Sequence, residues 1–187
     1  DRFPGGIERS RLARERRLSR QRWIIFFVVL ISLSLFGYPE ARDYYSKWQA
    51  LRVAREFTLR LSRLRTESIL KKTPLEARFR QPNLVEIYRV SSCGPFAERT
   101  LESSLRLSEL GGDVEFAPEP WVRENTPSRE PYLPRFCYDP LSGSSVFADG
   151  LAHGAVFIAH HSDLTARRGD HIVQVVIEGA AGDLSIE

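Results

Sequence analysis

The chain is predicted to be α+β, with one long helical region at its N-terminal side, apolar and then amphipathic, followed by a domain of short antiparallel strands. Three observations predict this. Residues 23–39 contain no charged side chain. Residues 40–73 repeat their apolar residues at helical spacing, and beyond Pro74 the repeat shortens from 3.6 residues to two. At 187 residues, 42% hydrophobic and 27% charged, the chain has the length for one modest globular domain with appendages. Two independent cores are not expected.

The first element, residues 1–22, carries eight Arg against Asp1, Glu8 and Glu15, which leaves 19 basic and 21 acidic residues in the rest of the chain. The formal net charge of +3 therefore belongs to this tail. The remainder is close to neutral, so whole-chain charge does not support nucleic acid as a partner.

The second element is "RQRWIIFFVVLISLSLFGYP", residues 20–39. From Trp23 to Pro39 it has 17 uncharged residues in a row, roughly 26 Å of helix against a hydrocarbon core of about 30 Å. Snorkelling of Arg20 and Arg22, with Trp23 and Tyr38 at the two interfaces, would supply the remaining length. The expectation is a single transmembrane helix over 23–39. Leu35-Phe36-Gly37-Tyr38 offers no small-x-small cleavage site, which favours an uncleaved signal-anchor over a secretory leader. By the positive-inside rule residues 1–22 form a cytoplasmic tail and residues 40–187 lie outside the cytoplasm. Arg16, Arg17, Arg20, Arg22, Trp23 and Tyr38 are then the anchoring and topology residues, with membrane lipids as partners.

The third element, residues 40–73, places Ala50, Val53, Phe57, Leu61, Leu64 and Ser68 on one stripe and Arg52, Glu56, Arg60, Arg63, Glu67 and Lys71 on another. One face packs and the other is wet. Glu56 to Arg60 and Glu67 to Lys71 are i, i+4 pairs in the favourable order, each contributing about 0.2–0.5 kcal/mol. Lys71 and Lys72 suit the negative end of a helix dipole, and Thr73-Pro74 marks the exit. Pro39 is expected to kink or interrupt the helical region, giving a bent rod.

The fourth element, residues 74–187, reads as short strands at 75–81, 84–90, 113–117, 135–139, 145–149, 155–161, 171–179 and 183–187, separated by Pro, Gly, Asn, Asp and Ser turn residues. Such short connections favour antiparallel pairing. Residues 97–110 are read as a short amphipathic helix through Leu101, Leu105 and Leu110. Residues 118–134 carry five prolines and read as an extended loop. Pro118, Pro120, Trp121, Pro127, Pro131 and Pro134 are therefore a candidate partner-contact loop, since long loops in compact domains are usually mobile, functional or clamped by a partner. Cys93 and Cys137, 44 positions apart, are a candidate disulfide worth around 4 kcal/mol in the chain-entropy model; two free thiols are the alternative.

Motif chemistry is sparse. There is no Gly-x-Ser-x-Gly elbow, no His-Glu-x-x-His and no glycine-rich phosphate loop. His160 and His161 are adjacent, and neighbouring side chains on a strand point to opposite faces, so the pair is not expected to hold one metal ion. No enzyme activity, no cofactor and no metal are expected.

An apolar span ending in Pro, then "LSRLRTESILKKTPLEA" (61–77), then a strand-rich domain closing in "HIVQVVIEGAAGDLSI" (171–186), resembles the type IV pilin-like minor pseudopilins of the GspH/FimT type. Glu67, Ile69, Pro74 and Leu75 occupy the places that match the family's run before its first strand. The resemblance implies a bent helix packed on an antiparallel β-sandwich ectodomain, in the bacterial inner membrane with the domain in the periplasm. The N-terminal side departs from the pattern: "RLSRQR" stands where the family has its peptidase cleavage box, and Arg22 stands where it has a Glu that assists filament packing. The functional expectation is a non-catalytic, single-pass structural or accessory subunit that binds other subunits of a larger membrane complex. The alternatives are a minor pseudopilin of a type II secretion or type IV pilus machine, and a membrane-tethered periplasmic binding or hydrolytic domain.

Overall fold

The computed structural model describes the backbone of residues 5–94, 96–141, 145–147, 153–178 and 184–186, and the side chains of residues 22–34, 37, 38, 40–94, 96–141, 153–178 and 184–186. It is α+β with two antiparallel sheets. The first element, α1, runs Gly5–Lys71. The chain divides into two compact units, residues 1–44 and 45–187, so α1 contributes to both.

Two expectations about α1 are corrected. Among the described residues no helix is long and apolar enough to cross a membrane, so the transmembrane helix expected over 23–39 does not stand. The physical reason is length: the uncharged stretch is bounded by Arg22 and Glu40, and a span needs about 20 apolar residues. The interruption expected at Pro39 is not found either, since the helix continues through it.

In the second unit the stripe Ala50, Val53, Phe57, Leu61, Leu64 and Ser68 is the buried face of α1, and Arg52, Arg60, Arg63 and Lys71 are exposed. The helix ends in a Schellman motif. Lys72 adopts φ 51°, its N–H donates to Ile69 O at 3.3 Å, and the Thr73 N–H donates to Ser68 O at 3.1 Å. Ser68 Oγ, fully buried, donates to Thr73 O at 2.8 Å and lies 3.2 Å from Tyr138 O. That contact ties the helix end to the sheet.

The strands are β1 Leu75–Arg80, β2 Leu84–Val90, β3 Arg99–Arg106, β4 Val114–Phe116, β5 Arg135–Tyr138, β6 Ser145–Phe147, β7 His153–His160, β8 Val173–Glu178 and β9 Leu184–Ile186. Short helices α2 (Leu107–Leu110), α3 (Glu119–Asn125) and α4 (His161–Thr165) and a 3-10 turn (Gly169–His171) lie between them. One sheet has the order β3-β2-β1-β5-β6 and the other β4-β7-β8-β9, all neighbours antiparallel.

Period-two alternation on β1 turns Leu75, Ala77 and Phe79 inward, where they meet Val85, Leu105, Phe136 and Tyr138 of the same sheet. Val114, Phe116, Val156, Ile158, Val173, Val175 and Ile177 come from the other sheet, and the α1 stripe joins them in one core. Phe57 touches both sheets, its ring centroid 5.7 Å from Phe79 and 6.0 Å from Phe116. The second sheet is also covered on its outer face, where Ala155, Phe157 and Val176 pack with Ala117, Val122, Trp121 and Tyr132. This double burial explains why β7 is apolar without alternation from Gly154 to Ala159.

Two local readings change. Residues 99–106, read as part of a helix, form strand β3, paired with β2 across its whole length with a bulge near Tyr88; only Leu107–Leu110 is helical. Pairing with a neighbour overrode the i, i+4 spacing of Leu101 and Leu105. Within the proline-rich stretch, Glu119–Asn125 is helical, because Pro118 at the cap and Pro120 in the first turn lack only N–H groups that a helix start leaves unused.

Candidate interaction surface

The least satisfied part of the first unit is the apolar segment of α1. Trp23, Ile24, Ile25, Phe26, Phe27, Val28, Val29, Leu30, Ile31 and Leu33 are each between 48% and 66% exposed. Consecutive residues lie 100° apart on a helix, so eleven positions cover every face. Trp23, Phe26 and Phe27 contact one another at centroid separations of 5.9–6.1 Å. Ten such side chains expose on the order of 1,000 Å², well above the 300–600 Å² of the largest apolar patch on an ordinary monomer. Arg22 and Tyr38 are exposed at its two ends. Arg16, Arg17 and Arg20 lie on the same helix, with side chains outside the described residues.

A second exposed aromatic cluster lies on α1 within the second unit. Tyr45 stacks on Trp48 at 6.2 Å and the Arg52 guanidinium sits 5.7 Å over the Trp48 ring. Trp48, Leu51, Arg52, Arg55, Leu59 and Leu110 help line a groove of about 430 Å³.

The proline-rich stretch is held by its own chain. Trp121 Nε1 donates to Leu164 O at 3.1 Å, Ser128 Oγ to Gln174 Oε1 at 2.8 Å, and Leu133 and Ala155 exchange backbone bonds with Ala155 O and Pro131 O at 2.9 Å. Pro120, Pro127 and Pro134 are exposed, while Pro118, Trp121 and Pro131 are half-buried. Gly169 approaches so closely that an added Cβ would lie 1.7 Å from Asn125 O. Cys93 and Cys137 form a disulfide with Cα atoms 5.7 Å apart. It joins the segment between β2 and β3 to β5.

Charged groups that were distant in sequence meet on the outer face of the first sheet. Glu76, 4% exposed, receives Arg78 Nε at one oxygen and Arg99 Nε at 3.1 Å at the other, with Arg135 Nη1 3.7 Å away. The register makes this possible, because Glu76 pairs with Cys137 of β5 and Tyr88 of β2. Arg78 also lies 5.2 Å over the Tyr88 ring. Near the end of α1, Glu102 accepts from Lys71 at 3.0 Å and Arg89 at 2.9 Å. The Lys71 hydrogen bond chiefly holds the Glu102 carboxyl below the ordinary glutamate value of 4.5, against burial, with Arg89 adding to it. Lys71 is raised in turn, chiefly by its hydrogen bond to Glu67. Burial pushes the Tyr138 phenol far above its ordinary value, and its hydroxyl has no hydrogen-bond partner among the described residues.

The four histidines take separate partners. His160 Nδ1 accepts from the Ser162 N–H at 3.2 Å and lies 2.8 Å from Ser162 Oγ, so it caps α4. His161 Nδ1 lies 3.2 Å from Glu115. His171 Nδ1 is 3.2 Å from the buried Asp163, and its Nε2 is 3.6 Å from Asp170. The Ser–His and His–Asp contacts involve different imidazoles, so no Ser-His-Asp relay results among the described residues. Among the described residues no group of three or more His, Cys, Asp or Glu is placed to hold a metal ion. Glu76 was missed by sequence reasoning; an acidic residue inside a strand-like alternation is the one signal that could have flagged it. Comparison with protein families, with curated proteins and with solved structures finds no match for the chain.

Proposed function

We propose that the chain is a non-catalytic structural subunit of pilin-like type, which joins a multi-subunit assembly by packing the apolar segment of α1 among helices of other subunits. The observation that carries this reading is the ring of exposed Trp, Ile, Phe, Val and Leu side chains from Trp23 to Leu33. A helix that is apolar on every side is one that is buried in its working state. One partner covers one face, so several helices are needed. The packing of the α1 stripe across two antiparallel sheets supports the pilin-like part of the reading. The minor-pseudopilin form of the proposal is the narrower version, in which Arg22 takes the place of the family's packing glutamate.

The test is site-specific photo-crosslinking in the cells that make the protein, with the crosslinker replacing Phe27 or Val29. The expected result is adducts with helices of two or more neighbouring subunits from both positions. Adducts confined to lipid, or none from either position while the chain is folded, would overturn it.

A further inference from the structure

Strand β3 is the terminal strand of its sheet, and residues 100–104 are exposed. The phase of its pairing follows from one bond. The Leu107 N–H donates to Asn83 O at 2.8 Å, so two residues earlier Leu105 also turns its backbone groups to β2, opposite Val85. Ser104 and Arg106 therefore aim their N–H and C=O groups away from the sheet. Alongside them, between β3 and α1, runs a groove of about 240 Å³. Its floor is apolar, with Phe57, Leu61, Val85 and Leu105, and Arg60 and Arg63 of α1 border it. An additional strand would lie about 4.8 Å beyond β3, with every second side chain directed at this groove.

The charge around the edge is basic. Arg63 and Arg106 are exposed and hold no ion pair among the described residues. Arg60 faces Glu56 at 3.8 Å, and Glu102 is occupied by Lys71 and Arg89. A like pairing of β3 with β3 would bring arginines together. The complementary edge is at the other end of the chain's other sheet. Strand β9 is terminal there among the described strands, Leu184 and Ile186 are only partly buried against the core, and the sequence Asp183-Leu184-Ser185-Ile186-Glu187 alternates acidic or polar with apolar residues. Glu178, at the end of the neighbouring β8, is exposed.

We propose that β3 of one copy receives β9 of a second copy as an added strand, so that the first sheet of one subunit continues into the second sheet of the next. This deepens the assembly reading above, on which it rests. The contact is heterologous, joining two different surfaces, and it therefore propagates from copy to copy rather than closing on a two-fold axis. Main-chain bonds at Ser104 and Arg106 supply the pairing, Arg60, Arg63 and Arg106 favour a strand flanked in the sequence by Asp183 and Glu187, and the groove covers the residual exposure of Leu184 and Ile186.

Two full-length variants that each add one cysteine, Ser104→Cys and Ser185→Cys, test it, since both positions lie on the outer face of their strands and the native cysteines are bonded to each other. Mixed and treated with a short thiol-specific crosslinker, they are expected to give a mixed adduct at least tenfold above that of either variant alone. Adding Arg63→Glu and Arg106→Glu to the Ser104→Cys chain should reduce the yield by a similar factor. Adduct levels equal in the mixture and the separate variants, or insensitive to the charge reversal in a chain that melts normally, would overturn the proposal. So would capture of only a different protein when a photo-crosslinker replaces Ser104 in cells. Crosslinks from Phe27 and Val29 report separately on the helix, so either idea can fail without the other.

Discussion

Replacing Phe57 by Ala tests the joint on which the second unit depends. Phe57 is fully buried and makes edge-on contacts with Phe79 of one sheet, at 71° between ring planes, and with Phe116 of the other, at 67°. Removing a buried Phe costs about 3–5 kcal/mol, the upper part reached where the cavity cannot collapse. Each aromatic pair adds about 0.5–1.5 kcal/mol beyond area. Phe79 and Phe116 remain in contact with each other at 5.6 Å, and Phe79 also leans on Phe136 at 5.7 Å, so both rings are held where they are and close the gap poorly. The expected loss is about 4 kcal/mol. Leu59, two residues along the same helix, is 55% exposed, and Leu59→Ala should change stability by less than about 0.5 kcal/mol. Urea unfolding of the full chain, followed by far-ultraviolet circular dichroism, measures both, with an unchanged denaturant slope required for the comparison. A Phe57→Ala loss below about 1.5 kcal/mol, or one equal to that of Leu59→Ala, would refute the packing of α1 against both sheets.

Cys93→Ser, which opens the 44-residue loop to Cys137, should cost about 4 kcal/mol in the chain-entropy model, measured as the drop in unfolding free energy under non-reducing conditions. Glu76→Gln leaves three half-buried guanidinium groups without their carboxylate and should cost about 2–3 kcal/mol, discounted from the fully buried case because the arginines keep some water. Glu102 titrates below its ordinary value of 4.5 in the folded chain. Its contribution is therefore complete above that value and is lost as pH falls through the depressed folded one; Glu102→Gln should flatten this part of the acid limb in a stability-against-pH series. Gly169→Ala places a Cβ against the backbone of Asn125, and thermal melts should show a loss of more than about 2 kcal/mol, since backbone on both sides leaves nothing flexible to yield.

Much of this architecture was legible because burial imposes a period. The 3.6-residue stripe from Ala50 to Ser68 is the buried face of α1, and the period-two runs at 75–81, 84–90 and 135–139 lie where β1, β2 and β5 form. Strand β3 was illegible because an edge strand with one covered side needs few apolar residues, and Leu101, exposed in the fold, mimicked a helical repeat with Leu105. Helix α3 was hidden by prolines that a helix start tolerates. The Glu76 cluster was beyond reach for a different reason. Arg78, Arg99 and Arg135 come from β1, β3 and β5, and only the strand order and register bring them to one carboxylate.

The apolar run at 23–33 was the easiest feature to see and the hardest to assign, and the contrast within α1 explains why. From Ala50 to Ser68 apolar residues recur on one side, so the number of partners is written into the pattern: one surface, supplied by the two sheets of the same chain. From Trp23 to Leu33 nearly every position is apolar, and the pattern specifies only that water be excluded. Lipid and a bundle of helices both satisfy that requirement, and sequence periodicity cannot separate them. Length can. The uncharged stretch ends at Glu40, and no helix among the described residues is long and apolar enough to cross a membrane. A bundle sets no such minimum, because each helix in it is covered along whatever length its neighbours share. The shortness that removes the transmembrane helix therefore leaves the assembly reading intact.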